Sequence, residues 1–179
     1  MFKDLYPCEY VENVFSIDYN KLYKKGYRGL IFDIDNTLVH HGEDSTKEVE
    51  ELFQIIHGIG LKTLLLSDNS KERIERFLKN IDSLYIYDAK KPSVANCLKA
   101  IKMMNIKKEE ALVIGDQIFR DIYGANRSGI DTILVKYMRY KDETKIGIRR
   151  YAEKLVLKFY EFNKSYQNRI GDIHKNEVS

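Results

Sequence analysis

Gly29-Leu30-Ile31-Phe32-Asp33-Ile34-Asp35-Asn36-Thr37 is the stretch whose reading decides the fold, because an apolar run of strand length gives way to a polar turn with two carboxylates one residue apart. A run this short, bounded by turn residues, reads as a strand buried on both faces, and ligands bind outside the carboxyl ends of such strands. Neighbouring carboxylates repel. They are tolerable together when a cation sits between them or one holds a proton, and both conditions suit metal-assisted phosphoryl transfer.

Working outward, three more polar constellations follow apolar runs in the same way. Ser67 ends Leu64-Leu65-Leu66 and is followed by Asp68-Asn69. Lys91-Pro92 follows the run at 85–87, and Gly115-Asp116 ends the run at 111–114, with Asp121 shortly after. Strands are predicted at 29–34, 62–67, 85–87, 111–114 and 132–135, each of the first four leading into a helix. The first helix is expected to open with a Ser45-x-x-Glu48 capping box and to bury Val49, Leu52, Phe53 and Ile56. Helices over 70–80, 93–104 and 118–128 should turn Ile74, Phe77, Leu78 and Ile81, then Val94, Leu98 and Ile101, toward the core, with Gly129 closing the last one. Alternating β and α units with short loops require right-handed crossovers and a doubly wound parallel α/β sheet, here five-stranded, which gathers the four constellations on one edge.

The motifs DIDNTL (33–38), LLLSDN (64–69), KKP (90–92) and GDQIFRD (115–121) resemble those of the haloacid dehalogenase (HAD) superfamily of phosphohydrolases over about residues 28–136. A lone DxDxT is weak; four motifs in order at strand ends are specific. A closer resemblance is to the small group containing bacterial YqeG-like proteins and mitochondrial phosphatidylglycerophosphate phosphatases. It rests on Leu5-Tyr6-Pro7, Val14-Phe15-Ser16-Ile17, Asn36-Thr37-Leu38-Val39, Gly115-Asp116-Gln117 and Gly124-Ala125-Asn126-Arg127. Arg120 departs from the pattern, standing where many relatives have Thr.

The resemblance implies a HAD-like Rossmannoid sheet of order 5-4-1-2-3 and assigns the roles. Asp33 is the nucleophile that becomes an aspartyl phosphate, and Asp35 protonates the leaving oxygen and later activates water. Ser67 and the Asp68 amide donate to phosphoryl oxygens, and Lys91, the lysine directly before the proline, balances charge. Mg2+ is the expected cofactor, held by Asp33, the Asp35 backbone carbonyl and Asp116, with Asp121 orienting its waters or Lys91. His40 and His41 near the entrance read as solvated loop residues.

Neither interval that carries a cap domain in this superfamily has room for one, so the site should be open and suited to phosphate presented by a large body, a protein, a lipid surface or a nucleic acid. The resemblance selects phosphatidylglycerophosphate among these. Segment 144–166 offers the membrane surface: Ile148, Ala152, Leu155, Phe159 and Phe162 recur on one helical face, with Lys145, Arg149, Arg150, Lys154 and Lys158 around it. The competing expectation is that this stripe docks on the domain's own sheet. Other phosphate esters, a phosphorelay receiver and a noncatalytic scaffold are the rival functions, the receiver disfavoured because its paired acids should not end the first strand.

The 179 residues fit one domain: a lead-in at 1–28 packing on the core, the core at 29–143, and the amphipathic segment with a frayed tail at 144–179. A net charge of +3 is too small to argue for nucleic acid, and no apolar run reaches a membrane span or signal peptide. The expected location is cytoplasmic, peripheral to the membrane for a lipid substrate. Oligomeric state is not legible, and Cys8 and Cys97 read as two reduced thiols.

Overall fold

The computed structural model describes residues 2–138 and 147–175. Its centre is a parallel sheet of six strands: β1 (Glu9–Val11), β2 (Gly29–Phe32), β3 (Lys62–Leu66), β4 (Leu84–Ile86), β5 (Ala111–Gly115) and β6 (Asp131–Val135). Their order is β1-β6-β5-β2-β3-β4. This corrects the five-stranded expectation: the lead-in adds an edge strand beside β6, pairing Glu9 with Ile133 and Val11 with Val135, so the order gains a sixth member at that end while the five expected strands keep their relative positions. Three residues with a glutamate at a buried position give no strand signal. Glu9 is tolerated because its carboxylate accepts from the Ile170 and Gly171 amides at 2.7 and 3.1 Å.

The helices are α1 (Tyr19–Lys24), α2 (Lys47–Ile59), α3 (Lys71–Phe77), α4 (Val94–Met104), α5 (Tyr123–Ser128) and α6 (Ile148–Phe162). Side chains alternate across the sheet, so Leu30 and Phe32 of β2 join a core with Leu22, Phe53, Ile56, Ile74 and Phe77. Ile31 points the other way, toward Cys97, Ala100, Ile101 and Ala125. A third cluster beyond β6 joins Tyr6, Ile118, Ile122 and Leu134 to Val156 and Tyr160 of α6. Between β2 and β3 lies only α2, and between β3 and β4 only α3 with a short 3-10 turn, so neither interval holds a cap.

Several local expectations need correction. The cap of α2 is Thr46, whose hydroxyl accepts from the Val49 amide, while Ser45 bonds Glu50 instead. Leu98 faces solvent, and α4 buries Cys97, Ala100, Ile101 and Met104. The helix expected over 118–128 begins as a π-helical turn, Ile118–Ile122. The tail is not frayed through 175: Ile173 is buried, its carbonyl accepts from Asp18 N at 2.7 Å, and Ile17 bridges His174. Residues 176–179, and 139–146 including Lys145, lie outside the described residues. Cys8 and Cys97 are both buried and unpaired.

Of the two expectations for α6, docking of its apolar stripe on the sheet fails. Its inward side chains are Glu153, Val156 and Tyr160, which share a face at i, i+3 and i+7. The apolar stripe, for which both a membrane-facing and a sheet-docking role were open, points outward, with Ile148 88%, Leu155 56%, Phe159 51% and Phe162 87% exposed. Among the described residues no helix is long and apolar enough to cross a membrane.

Candidate active site

Strand register builds the site. Phe32 lies level with Leu65 of β3 and Ile114 of β5, so Asp33, Ser67 and Asp116 leave the sheet at the same carboxyl edge. Asp33 is fixed by its amide, which donates to the Ile114 carbonyl at 3.0 Å, and the chain then turns tightly, with Asn36 N bonded to Val39 O at 2.7 Å and Asn36 at φ 61°. Gly115 is required at the end of β5, because a Cβ there would lie 2.5 Å from Cγ of Asp121. The π-helical turn that carries Asp121, closed by Asp121 and Ile122 amides on the Gln117 carbonyl, folds that carboxylate back onto the strand end.

Lys91 joins the acids. Its ammonium bonds Asp33 Oδ1 and, at 2.6 Å, Asp121 Oδ1, while Asp121 Oδ2 accepts from the Gln117 amide at 3.0 Å. One oxygen each of Asp33, Asp116 and Asp121 lies within 4.8 Å of the others. Such a cluster of buried hard oxygens fits a divalent cation such as Mg2+. Burial pushes the Asp33 carboxyl up to about 7 against the pull of Lys91, with Asp121 and Asp116 adding to the rise. Asp116 is pushed up to about 6 by burial and Asp121, against Arg150. Burial works against the Lys91 charge, yet Asp121 and Asp33 prevail and hold its pKa above the ordinary value.

Asp35 stands apart from this cluster. Its carboxylate accepts from Asn69 Nδ2 at 2.6 Å and the Gly42 amide at 2.9 Å, with Arg73 at 3.4 Å and the His41 ring at 3.7 Å. Burial alone would raise its pKa, but the Asn69 and Gly42 hydrogen bonds, with His41 and Arg73, hold it below the usual range. Ser67 is buried, and its Oγ accepts from Asn69 N and Nδ2 at 3.3 and 3.0 Å. Asp68 accepts from the Lys91 amide at 2.9 Å and pairs with Arg120, which therefore links the second and fourth motifs where Thr could not reach.

The structure thus gathers Asp33, Lys91, Asp116 and Asp121 in one cluster, with Ser67, Asp68 and Asp35 around it. Three contributors were missed. Thr37 Oγ1 donates to Asp116 Oδ1 at 3.2 Å, and its place in DIDNTL was the available signal. Asn69, already within LLLSDN, connects Ser67 to Asp35. Arg150, one of the basic residues around the α6 stripe, is partly buried and bonds both the carboxylate and the backbone carbonyl of Asp116, a contact 34 residues away in sequence that no pattern marks.

Comparison with known proteins agrees with this geometry. A family model described as HAD-hyrolase-like matches residues 89–156. The chain is 35% identical over 152 residues to "Probable phosphatase YqeG" of Bacillus subtilis (strain 168), covering 84% of this chain and 88% of that protein. A shorter stretch of 67 residues is 39% identical to glyceraldehyde 3-phosphate phosphatase of Pyrococcus furiosus, covering 37% of this chain and 28% of that protein. In fold it is similar to an uncharacterized protein from Listeria monocytogenes serotype 4b, with TM-score 0.53 and 18% identity over 75% of this chain and 99% of that one. With four strand-end motifs converging on one acidic cluster and a relative named a probable phosphatase matched over most of both chains, the chain belongs to the HAD superfamily and is a phosphatase.

Proposed function

We propose that this phosphatase is an Mg2+-dependent phosphomonoesterase that works through an aspartyl phosphate on Asp33, and that its substrate is phosphatidylglycerophosphate presented at a membrane surface. The mechanistic half rests on the clustering of Asp33, Lys91, Asp116 and Asp121 at the carboxyl edge of the sheet. Asp33 attacks phosphorus in line while Lys91 holds its orientation and offsets charge on the phosphoryl oxygens. Ser67 Oγ and the Asp68 amide donate to those oxygens. Asp35 gives a proton to the leaving oxygen in the first half and takes one from the attacking water in the second; its ionised, hydrogen-bonded state suits the second half, and it must gain a proton before the first. Asp33, Asp116 and the Asp35 carbonyl would hold Mg2+, with Asp121 positioning Lys91; the ion would supply charge neutralisation for an anionic phosphate approaching anionic carboxylates.

The lipid half rests on the outward apolar face of α6. Ile148, Tyr151, Leu155, Phe159 and Phe162 are exposed together, and Arg149, Lys154 and Lys158 are exposed on the same helix. Apolar side chains flanked by cations suit an anionic bilayer, and the cap-free site suits a phosphate that arrives on a surface. A peripheral location on the cytoplasmic face goes with this reading.

The test compares phosphatidylglycerophosphate in mixed micelles with a soluble aryl phosphate for wild type and for Leu155→Ser/Phe159→Ser. Burying each such side chain is worth about 1.5–3 kcal/mol, so vesicle binding and lipid turnover should fall at least ~10-fold, with aryl phosphate turnover retained. Equal turnover of lipid by both proteins, or hydrolysis of soluble esters alone, would move the substrate to a small phosphate ester or a phosphoprotein.

A further inference from the structure

Arg150 enters the active site from the first turn of α6. Its Nη1 donates to the Asp116 carbonyl at 2.8 Å and to Glu153 Oε2 at 2.9 Å, and its Nη2 bonds Asp116 Oδ2. The guanidinium lies 4.4 Å from the centre of the Tyr137 ring. The other oxygen, Asp116 Oδ1, accepts from Thr37. Both oxygens of the carboxylate assigned to the metal are therefore engaged, one by a neutral donor and one by a full positive charge.

We propose that Arg150 is a built-in counter-ion of the metal site, which pairs with Asp116 until a divalent cation displaces it, so that α6 sets the metal affinity. The inference rests on the reading of Asp116 as a metal ligand and adds a residue to it. Two cations cannot share Asp116 Oδ2 cheaply, because a guanidinium at hydrogen-bond distance from a ligand oxygen repels a dication a few ångströms away in a poorly hydrated site. The guanidinium has another place to rest. Glu153 is buried beside it, already bonds it, and is itself held by the Phe119 amide at 3.4 Å. A cavity of about 300 Å³ bounded by Tyr10, Leu134, Tyr137, Lys154 and Leu157 adjoins both residues and gives the side chain room to swing.

The experiment is calorimetric titration of Mg2+ into the chelator-treated full chain at pH 7.5, for wild type, Arg150→Gln, Arg150→Lys and Asp116→Asn. Arg150→Gln should bind Mg2+ at least ~10-fold more tightly, since it removes the competing charge. Arg150→Lys keeps the charge but not the forked geometry, so it should bind Mg2+ less tightly than Arg150→Gln. A Gln variant no tighter than wild type, or a Lys variant as tight as Gln, overturns the proposal. On wild type alone, saturating Mg2+ should shift the Arg150 Nε–Hε NMR signal, and an unmoved signal overturns it equally. Asp116→Asn separates the two ideas: loss of Mg2+ binding there with no gain in Arg150→Gln refutes only the Arg150 role, whereas retained binding removes Asp116 from the metal site altogether.

Discussion

Replacing Lys91 by Met leaves the aliphatic stem in place and removes the one positive charge held between Asp33 and Asp121. The side chains of Lys91, Asp33 and Asp121 are 4%, 8% and 2% exposed, so water cannot take over the neutralisation. Breaking a buried pair strands its partner at a cost of about 3–5 kcal/mol. For a chain of this size that corresponds to a fall in Tm of about 6–20 °C. The loss should depend on pH, and the sign follows from linkage. Burial and like charges raise the Asp33 and Asp116 pKa values above their unfolded ones even with Lys91 present. Without Lys91 they rise further, so the native state binds more protons than the unfolded chain between about pH 4 and those raised values, and stability increases as pH falls. The lysine's own pKa lies above this window, so its charge is constant across it. Urea denaturation in excess chelator should therefore show the largest deficit near pH 8 and a much smaller one near pH 5.5. A deficit equal at both pH values, or below about 1 kcal/mol at pH 8, would mean that the acids are not held apart by Lys91.

Asp33→Asn should lower phosphate release at least ~10^3-fold while the chelated protein melts no lower than wild type, because a neutral amide replaces a buried carboxylate but cannot attack phosphorus. Near wild-type turnover would remove Asp33 from the nucleophile role. Glu9→Ala strands the Ile170 and Gly171 amides and should cost about 1–3 kcal/mol in urea denaturation, with hydrogen exchange accelerated at 170–175. An unchanged exchange rate there would show that Ile173 alone anchors the segment.

What could be read from sequence was what repeats locally. Each strand-end motif sits beside its own apolar run, and parallel register brings the ends together, so Asp33, Ser67, Lys91 and Asp116 were legible as neighbours. Features held by distant partners were not. β1 depends on a buried glutamate satisfied from the C-terminal segment, and the tail looked frayed because its anchor, Ile173, docks beside α1. On α6, counting apolar residues selects the face of Ile148 and Phe159, but the helix docks through Val156 and Tyr160 with Glu153 between the core and Arg150. A charged residue on the buried face defeats a hydrophobic pattern. Arg120 was visible as a departure from its family, though only the structure supplies its partner, Asp68.

The charge count of the cluster ties these observations together. Asp33, Asp116 and Asp121 against Lys91 leave two negative charges when all are ionised, the amount a dication neutralises. Without that ion, the chain has two other ways to reduce the excess: the guanidinium of Arg150 on Asp116, and protons on Asp33 and Asp116, whose pKa values burial raises. Both must yield for the chemistry proposed here, since Asp33 has to be anionic to attack and Asp116 has to face the metal. Asp35, outside the cluster and kept ionised by Asn69 and the Gly42 amide, does not share in this exchange. The two carboxylates of one short motif are thus driven toward opposite protonation states, Asp33 toward the neutral form and Asp35 toward the ionised one; the first step proposed here needs the reverse, an anionic Asp33 and a protonated Asp35, so cation and substrate binding must shift both.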